Sequence, residues 1–158
     1  MGSGKSSIGK QLAKELNIKH IDLDNLIEES ENITIPDIFN NSGETYFRKL
    51  EEKYLKETIK EDNILVSTGG GTPTTHGLMD VMNNIGETIY LECCTETLFE
   101  RLRQDKEKRP MISNLSEENL KIFIEKTLSE RKMFYEKSEH IFYNNTEKEK
   151  IEIINFLG

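Results

Sequence analysis

Residues 2–7 read Gly2-Ser3-Gly4-Lys5-Ser6-Ser7, and a segment with helically spaced apolar residues follows them at once. Small residues let successive backbone N–H groups curl around a phosphate, and a helix N-terminus adds a partial positive charge. In such a loop the lysine reaches the β- and γ-phosphates, and the next hydroxyl binds Mg²⁺. The stretch therefore predicts the second half of a nucleotide-phosphate loop, with Lys5 and Ser6 in these two roles.

The alternative for these six residues is a flexible Gly-Ser linker of no structural importance. Ile8, Leu12, Ala13 and Leu16 recur at helical spacing directly after the loop and predict a helix from about Ser6 to Leu16. Linkers do not lead into an amphipathic helix in this register. The phosphate loop is the favoured interpretation.

Length and composition exclude several classes of protein. The chain has 158 residues, of which 35% are hydrophobic, and this favours a single domain with one core. No apolar run approaches the ~18–20 residues of a membrane span. The net charge of −8 argues against a broad nucleic-acid surface, so any anion site must be local. Adjacent Cys93 and Cys94 offer no disulfide framework or zinc spacing, which favours a reduced, cytoplasmic protein.

Elements of both periodicities alternate along the chain. Short apolar runs predict four strands, at residues 20–22, 64–67, 88–92 and 140–143. Helices are predicted from about Ser6, near Asp24, from Glu44, after residue 92, after Ser116 and from Ile151. Strands separated by helices indicate an α/β protein with a parallel sheet and helices on both of its faces.

Two aspartates follow the first of these strands. The pair Asp22-x-Asp24 is interpreted as one carboxylate that faces a metal and another that faces an acceptor hydroxyl. The alternative is that Asp24 only caps the next helix.

Arginine is rare in a chain whose positive charge is mostly lysine. Only five of the 21 basic residues are arginines: Arg48, Arg101, Arg103, Arg109 and Arg131. A planar guanidinium binds a carboxylate or phosphate through two hydrogen bonds, which an ammonium group does not match. The three histidines, His20, His76 and His140, have no ligand spacing and are expected in ordinary surface or strand-edge roles.

Five further motifs join the loop in one order: Asp22-x-Asp24, Phe47-Arg48, Gly69-Gly70-Gly71, Arg109-Pro110 and Arg131-x-x-x-Tyr135. As a set they resemble the shikimate kinase family from Met1 to about Asn145. The resemblance implies ATP-dependent phosphorylation of the 3-hydroxyl of shikimate to shikimate 3-phosphate, in the pathway to chorismate and aromatic amino acids. It also implies Mg²⁺ as cofactor, and a cytoplasmic monomer whose partner is shikimate, with no nucleic acid and no membrane.

The resemblance implies a role for each matching residue. The nucleotide would be bound by Gly2, Ser3, Gly4, Lys5, Ser6, Ser7, Arg101 and the lid residue Arg109, with Arg103 as the alternative to Arg101. Mg²⁺ would be held by Ser6 and Asp22, with Ser67 supporting them. Shikimate would be bound by Asp24, Arg48, Arg131 and the backbone of Gly69, Gly70 and Gly71. Lys5, Asp24 and Arg109 would be the catalytic residues.

The resemblance also implies a three-layer P-loop kinase fold over residues 1–158. Its acceptor-binding segment would span about 24–54 and its mobile lid about 105–118. The family sheet has strand order 2-3-1-4-5, and its first strand and first loop glycine are missing from this chain. We expect about ten native residues, an apolar strand ending in glycine, to precede Met1.

Two positions depart from the family pattern: Met133 stands where proline is expected after Arg131, and Met111 follows Arg109-Pro110 where leucine is typical. Two other functions are considered beside shikimate phosphorylation. One is another P-loop small-molecule kinase resembling gluconate kinase, and the other is a truncated nucleotide-binding module without catalysis. Capture of a carboxylate by Arg48 and Arg131 favours shikimate phosphorylation over the alternative that resembles gluconate kinase.

Overall fold

The computed structural model describes residues 1–75, 77–104, 106, 109 and 111–157. Of the residues singled out above, His76, Asp105 and Pro110 lie outside this range. The helices are α1 (Lys5–Glu15), α2 (Leu23–Glu31), α3 (Ile35–Thr58), α4 (Leu78–Ile85), α5 (Thr95–Gln104), α6 (Glu117–Tyr135) and α7 (Glu147–Leu157). The strands are β1 (Lys19–Asp22), β2 (Ile64–Ser67), β3 (Ile89–Glu92) and β4 (His140–Tyr143). None of the described helices is both long and apolar enough to cross a membrane.

The strands form two parallel pairs. Strand β1 pairs with β2, with Lys19 opposite Ile64 and Asp22 opposite Ser67. Strand β3 pairs with β4, with Ile89 opposite His140 and Glu92 opposite Tyr143. No hydrogen bonding between strands joins the two pairs in the described part of the chain.

A gap separates the two pairs. A cavity of about 530 Å³ occupies it, lined by Leu65 and Val66 of β2 and by Ile89 and Leu91 of β3. Apolar side chains of α1, α4 and α7 line the same cavity: Ile8, Leu12, Met79, Met82, Ile153 and Leu157. The inner edges of β2 and β3 thus face each other across an apolar slot.

The core consists of three clusters. One lies between α2, α3 and α4 and contains Leu23, Ile27, Ile38, Phe47, Leu50, Tyr54, Leu55 and Leu78. The second lies between α5 and α6 and contains Cys93, Leu98, Phe99, Leu102, Ile112, Leu120 and Ile124. The third joins α1, β3 and α7 through Ile8, Leu91, Ile153 and Ile154.

Helix α3 is longer than the sequence predicted. The run expected from Glu44 is its second half, and a first half begins at Ile35 after a kink at Gly43, whose φ of 76° favours glycine. Thr34 caps this first half by accepting a hydrogen bond from the N–H of Asp37. Helix α4 was not predicted at all. In α6, Ser116 caps the helix as predicted, but Ile122 lies on the exposed face.

Candidate functional site

The phosphate loop takes its shape from two glycines. Gly2 and Gly4 have φ values of 77° and 86°, in the left-handed region that favours glycine. Gly4 precedes α1 and supplies no side chain to cap it. Among the described residues, no N–H of Ser3, Gly4, Lys5 or Ser6 donates to another protein group. These donors are therefore available to an anion at the start of α1.

Lys5 lies where the loop meets the ends of the strands. Burial lowers the pKa of its ammonium group, the carboxylates of Asp24 and Asp22 act in the opposite direction, and Arg109 lowers it further. The net shift is downward. The charges of two acids and of an arginine from the predicted lid therefore act on Lys5.

Asp22 ends β1 and joins three elements. Its Oδ2 accepts a hydrogen bond of 2.5 Å from the Ser6 hydroxyl. Its Oδ1 accepts from the N–H groups of Asp24 and Asn25, at 3.2 and 3.4 Å, and so caps α2. The alternative in which Asp24 caps this helix is wrong, because Asp22 does so and leaves the Asp24 carboxylate free for another role.

Asp24 lies in the first turn of α2 and is largely buried. Burial, together with the negative charges of Asp22 and Glu51, raises the pKa of its carboxyl group to about 6, although Lys5 acts against this. A Cβ added to Gly69 would lie 3.3 Å from Oδ1 of Asp24. Glycine at this position thus lets the backbone after β2 approach the carboxylate closely.

Arg48 is anchored by two glutamates on α3. Its guanidinium donates to Glu51 at 2.5 Å and to Glu44 at 2.8 Å. Glu51 is fully buried, and its second oxygen accepts from the Thr72 hydroxyl at 2.5 Å. A Cβ at Gly71 would collide with the Arg48 guanidinium, which explains the third glycine of the triplet.

Glu51 was missed in the sequence. The signal was present, because a glutamate three residues after Arg48 falls on the helix face that also carries buried Leu50 and Tyr54. A buried acid on an apolar face needs a charged partner, and Arg48 is within reach at this spacing.

Arg131 approaches the glycine triplet from α6. Its Nη1 would lie 3.3 Å from a Cβ at Gly70, and the hydroxyl of Tyr135 donates to the carbonyl of Gly70 at 2.6 Å. The structure therefore brings the predicted residues Arg48 and Arg131 to the same three glycines, from two different helices.

The three remaining arginines have different surroundings. Arg101 Nη1 lies 3.4 Å from both the Gly2 carbonyl and Cys93 Sγ, beside the phosphate loop. Arg103 is paired with Glu100 and is about half exposed. Arg109 has a buried Nε without a hydrogen-bond partner among the described residues. Of Arg101 and Arg103, Arg101 is thus the one that reaches the phosphate loop.

Ser67 and His20 lie beneath the start of α1. Ser67 is buried, its hydroxyl lies 2.9 Å from Nε2 of His20, and it donates to the carbonyl of Lys5 at 3.3 Å. Exposed Ser7 makes no side-chain hydrogen bond with a described residue.

The cavities do not coincide with the charged cluster. A cavity of about 100 Å³ borders Lys5, Gly69, Gly70 and Tyr135, and the larger one lies in the gap between the strand pairs. Neither is lined by Asp24 or Arg48. Of the charged residues of the site, Lys5 borders both cavities.

The arrangement combines three capabilities within one region. The loop can bind phosphate groups, Ser6 and Asp22 can bind a hard cation through oxygen, and Asp24 can accept a proton or a hydrogen bond from a hydroxyl. Two arginines and a backbone of glycines lie beyond Asp24. These are the parts that transfer of a phosphoryl group to a small hydroxylated acid requires.

Sequence comparison finds one family over nearly the whole chain. A shikimate kinase family model matches residues 1–157. The shikimate kinase of Phocaeicola vulgatus is 41% identical over 153 residues, which cover 97% of this chain and 87% of the relative. The shikimate kinase of Azobacteroides pseudotrichonymphae is 43% identical over 144 residues, which cover 90% and 85% of the two chains.

Structure comparison finds the same family. The 1.7 Å crystal structure of shikimate kinase from Bacteroides thetaiotaomicron has a TM-score of 0.94 and 36% identity, over 99% of this chain and 91% of that one. Shikimate kinase from Acinetobacter baumannii in complex with shikimate has a TM-score of 0.89 and 28% identity, over 99% and 86%.

Proposed function

The chain belongs to the shikimate kinase family, and from this premise we propose that it transfers the γ-phosphoryl group of ATP to the 3-hydroxyl of shikimate, giving shikimate 3-phosphate and ADP. It is an ATP-dependent kinase of aromatic amino acid biosynthesis. The observation that carries the chemistry is the hydrogen bond of 2.5 Å from the Ser6 hydroxyl to Asp22, which joins the start of α1 to the residue that caps the helix of Asp24.

The nucleotide is assigned to the loop and two arginines. The free N–H groups of the loop bind the phosphates, together with Lys5 and the side chains of Ser6 and Ser7. Arg101 lies against the Gly2 carbonyl at the edge of the loop, which favours it over Arg103 for the nucleotide. Arg109 contributes positive charge beside Lys5 and is the catalytic arginine of the lid, about 105–118. Asp105 and Pro110 of this segment lie outside the described residues.

Mg²⁺ fits the oxygen atoms of Ser6 and Asp22. Both are hard ligands, they lie 2.5 Å apart, and they are at the loop end where the β- and γ-phosphates would sit. The described residues contain no cluster of three or more His, Cys, Asp or Glu side chains for a metal. Mg²⁺ would therefore take its other ligands from phosphate and water, and it would neutralise charge that develops during transfer.

Shikimate is assigned to the far side of Asp24. Arg48 and Arg131 bind its carboxylate, and the backbone of Gly69, Gly70 and Gly71 lines the same pocket. Asp24 orients the attacking hydroxyl and accepts its proton, for which a pKa of about 6 is well suited because the carboxylate is ionised at neutral pH. Lys5 and Arg109 stabilise the charge on the transferred group.

The gap between the strand pairs is assigned to a further strand. With it, the sheet would have the family order 2-3-1-4-5 in a three-layer P-loop kinase fold over residues 1–158, with the acceptor-binding segment at about 24–54. The support is the pair of facing strand edges, whose unpaired backbone groups need partners, and the apolar walls of the slot. We further propose a cytoplasmic monomer without nucleic-acid or membrane partners, for which the two free cysteines and the net charge of −8 are the support.

A coupled assay for ADP release tests the proposed function. We expect turnover with ATP and shikimate and none with gluconate, because the chain belongs to the shikimate kinase family and carries that family's acceptor motifs, Arg48, Arg131 and the glycine triplet. Turnover with gluconate and none with shikimate would favour the alternative that resembles gluconate kinase. ADP binding by calorimetry without turnover on either acceptor would indicate a nucleotide-binding module.

A further inference from the structure

The outer side of the phosphate loop is held by side chains from three other elements: α5, the end of β2 and the residue after β4. The loop carbonyls point away from the phosphate position, and each finds a donor. The Gly2 carbonyl lies 3.4 Å from Arg101 Nη1, and the Ser3 carbonyl accepts a hydrogen bond of 2.6 Å from Asn144 Nδ2. The Lys5 carbonyl accepts from Ser67 at 3.3 Å.

Asn144 makes the shortest of these contacts and is the most buried of the three donors. It follows β4 directly, and only 2% of it is exposed. A Cβ added to Gly4 would lie 3.1 Å from Nδ2 of Asn144, so the amide also packs against the next residue of the loop.

The backbone around Asn144 is fixed as well. Its N–H donates to the carbonyl of Glu92 at 2.8 Å, and its own carbonyl accepts from the thiol of Cys93 at 3.0 Å. Both partners lie at the end of β3. The backbone of Asn144 is thus fixed at the strand ends, and its side chain connects them to the phosphate loop.

The orientation of the amide follows from its neighbours. The Ser3 oxygen can only accept, so the NH₂ group must face it. The Asn144 Oδ1 is buried with no partner among the described residues. All the hydrogen bonding of this side chain therefore goes through Nδ2.

The planar trans peptide converts this contact into an effect on the phosphate site. In such a peptide the C=O and the N–H point in opposite directions. When Asn144 holds the Ser3 carbonyl outward, the N–H of Gly4 must point inward, to where a phosphate would bind. Without the hydrogen bond from Asn144 to the Ser3 carbonyl, Gly4 is free to turn its N–H away, because glycine adopts many backbone conformations.

We infer that Asn144 is a positioning residue for the nucleotide phosphates: it orients the Gly4 N–H through the Ser3 carbonyl and does not itself touch the nucleotide. This inference rests on the proposed nucleotide site. Nothing in the sequence motifs points to Asn144, because the contact spans 141 residues.

Two substitutions at position 144 and one at its neighbour test the inference. Asn144→Asp keeps the shape but replaces the donor with an acceptor facing the Ser3 oxygen. Asn144→Leu removes the donor without burying a charge. Asn145→Asp is the control at the adjacent residue: its oxygen can still accept from the N–H of Cys94 at 2.8 Å, and the amide donor that it loses faces Glu149 of α7 rather than the phosphate loop.

Calorimetry measures the Kd of ADP with Mg²⁺ and, separately, the Kd of shikimate. We expect both position-144 variants to weaken ADP binding about tenfold or more, because the Gly4 N–H is no longer held toward the phosphate: the remaining donor to the Ser3 carbonyl is the Cys93 thiol at 4.0 Å, which is a weak one. Shikimate binding should stay within about twofold, and Asn145→Asp should leave both constants within about twofold. A general loss of structure would weaken both ligands, so the split between them identifies positioning.

A second measurement reads the loop without any nucleotide. The ¹H–¹⁵N resonance of Gly4 and its exchange rate should change in Asn144→Leu and stay unchanged in Asn145→Asp, and thermal unfolding shows whether each variant is folded. Equal ADP affinity in Asn144→Leu and Asn145→Asp overturns the inference. If the unsubstituted chain binds no ADP, the proposed function fails, and an unaltered Gly4 resonance in Asn144→Leu then overturns the inference independently.

Discussion

The Ser6 hydroxyl donates to Oδ2 of Asp22 across 2.5 Å and thereby joins the first turn of α1 to the end of β1. The two residues are 16 positions apart, and both present oxygen where the phosphate loop ends. The other oxygen of Asp22 caps α2. One carboxylate therefore combines a structural task with the proposed binding of Mg²⁺.

The substitution Asp22→Asn separates the two tasks. An asparagine caps a helix about as well as an aspartate, so the free energy of unfolding should change little. The Mg²⁺ concentration for half-maximal activity should rise about tenfold or more in Asp22→Asn, because the charged ligand is lost. Activity is measured against Mg²⁺ concentration at saturating ATP. Asp80→Asn, on an exposed surface pair, is the control, and an identical Mg²⁺ dependence in both variants would contradict the metal assignment.

Asp24 predicts the pH dependence of the reaction. Its carboxyl group must be ionised to accept a proton, and its pKa is raised to about 6 by burial and by Asp22. The rate should therefore rise with pH through about 6 and level off above it. Asp24→Asn should lower kcat about 10²- to 10⁴-fold and remove this limb of the profile. A normal acidic limb in the residual activity would exclude Asp24 as the base.

The same pKa shift has the opposite effect on stability. Because the pKa of Asp24 is higher in the folded chain than the ordinary 3.8, its ionisation disfavours the folded state, fully so above about pH 6 and not at all below about pH 4. Asp24→Asn should thus be more stable than the native chain by about 3 kcal/mol at pH 8. Urea unfolding at about pH 3 and at pH 8 measures the difference, which should vanish at the lower pH.

Arg131 predicts a selective effect on the acceptor. Lysine keeps the charge but loses the planar pair of donors, so Arg131→Lys should raise the KM for shikimate about tenfold or more. The KM for ATP should stay within about twofold, because the proposed role of Arg131 is to bind the carboxylate of the acceptor at the glycine triplet. Lys126→Arg, on the exposed face of α6, is the control. Equal effects on both KM values would refute the carboxylate role.

The two glutamates that pair with Arg48 differ in burial, so they can be used to measure how burial affects the contribution of an ion pair to stability. Glu51 is fully buried, whereas the side chain of Glu44 is 60% exposed. Glu51→Gln should lower the free energy of unfolding by about 3 kcal/mol or more, because it leaves a half-buried guanidinium short of its counter-charge. Glu44→Gln should cost less than about 1 kcal/mol. Similar losses in urea unfolding would show that burial does not decide the strength of these pairs.

Sequence patterns were sufficient where structure is local. Strands β2 and β4 begin and end at the predicted residues, and Ser116 caps α6 as its position before two glutamates indicates. Motif residues such as Lys5, Asp24 and Arg131 lie in one region because the carboxyl ends of parallel strands share an edge. This part of the site follows from chain order and strand direction.

Sequence patterns did not identify residues whose role depends on a contact with another element of the fold. Asn144 reads as an ordinary turn residue, and its importance comes from a carbonyl 141 positions away. Asp22 caps α2 because the helix begins at Leu23, directly after the strand and one residue before its predicted start near Asp24. Helix α4 is only eight residues long, and its buried Leu78 and Met79 gave too short a pattern to identify.

The slot between β2 and β3 gives the last prediction. If a further strand belongs there, a ten-residue apolar strand added before Met1 should protect the amides of residues 64–67 and 89–92 from hydrogen exchange by about tenfold or more, because it pairs their free edges. The matched control is a Gly/Ser extension of equal length, which has no side chains to fill the apolar cavity of about 530 Å³. Hydrogen exchange is measured by mass spectrometry on the chain and on both extended versions. The comparison shows whether the slot accepts a strand. Equal protection by the apolar and the Gly/Ser extensions would mean that the slot does not accept a strand, and that the two strand pairs are joined only through the helices packed against them.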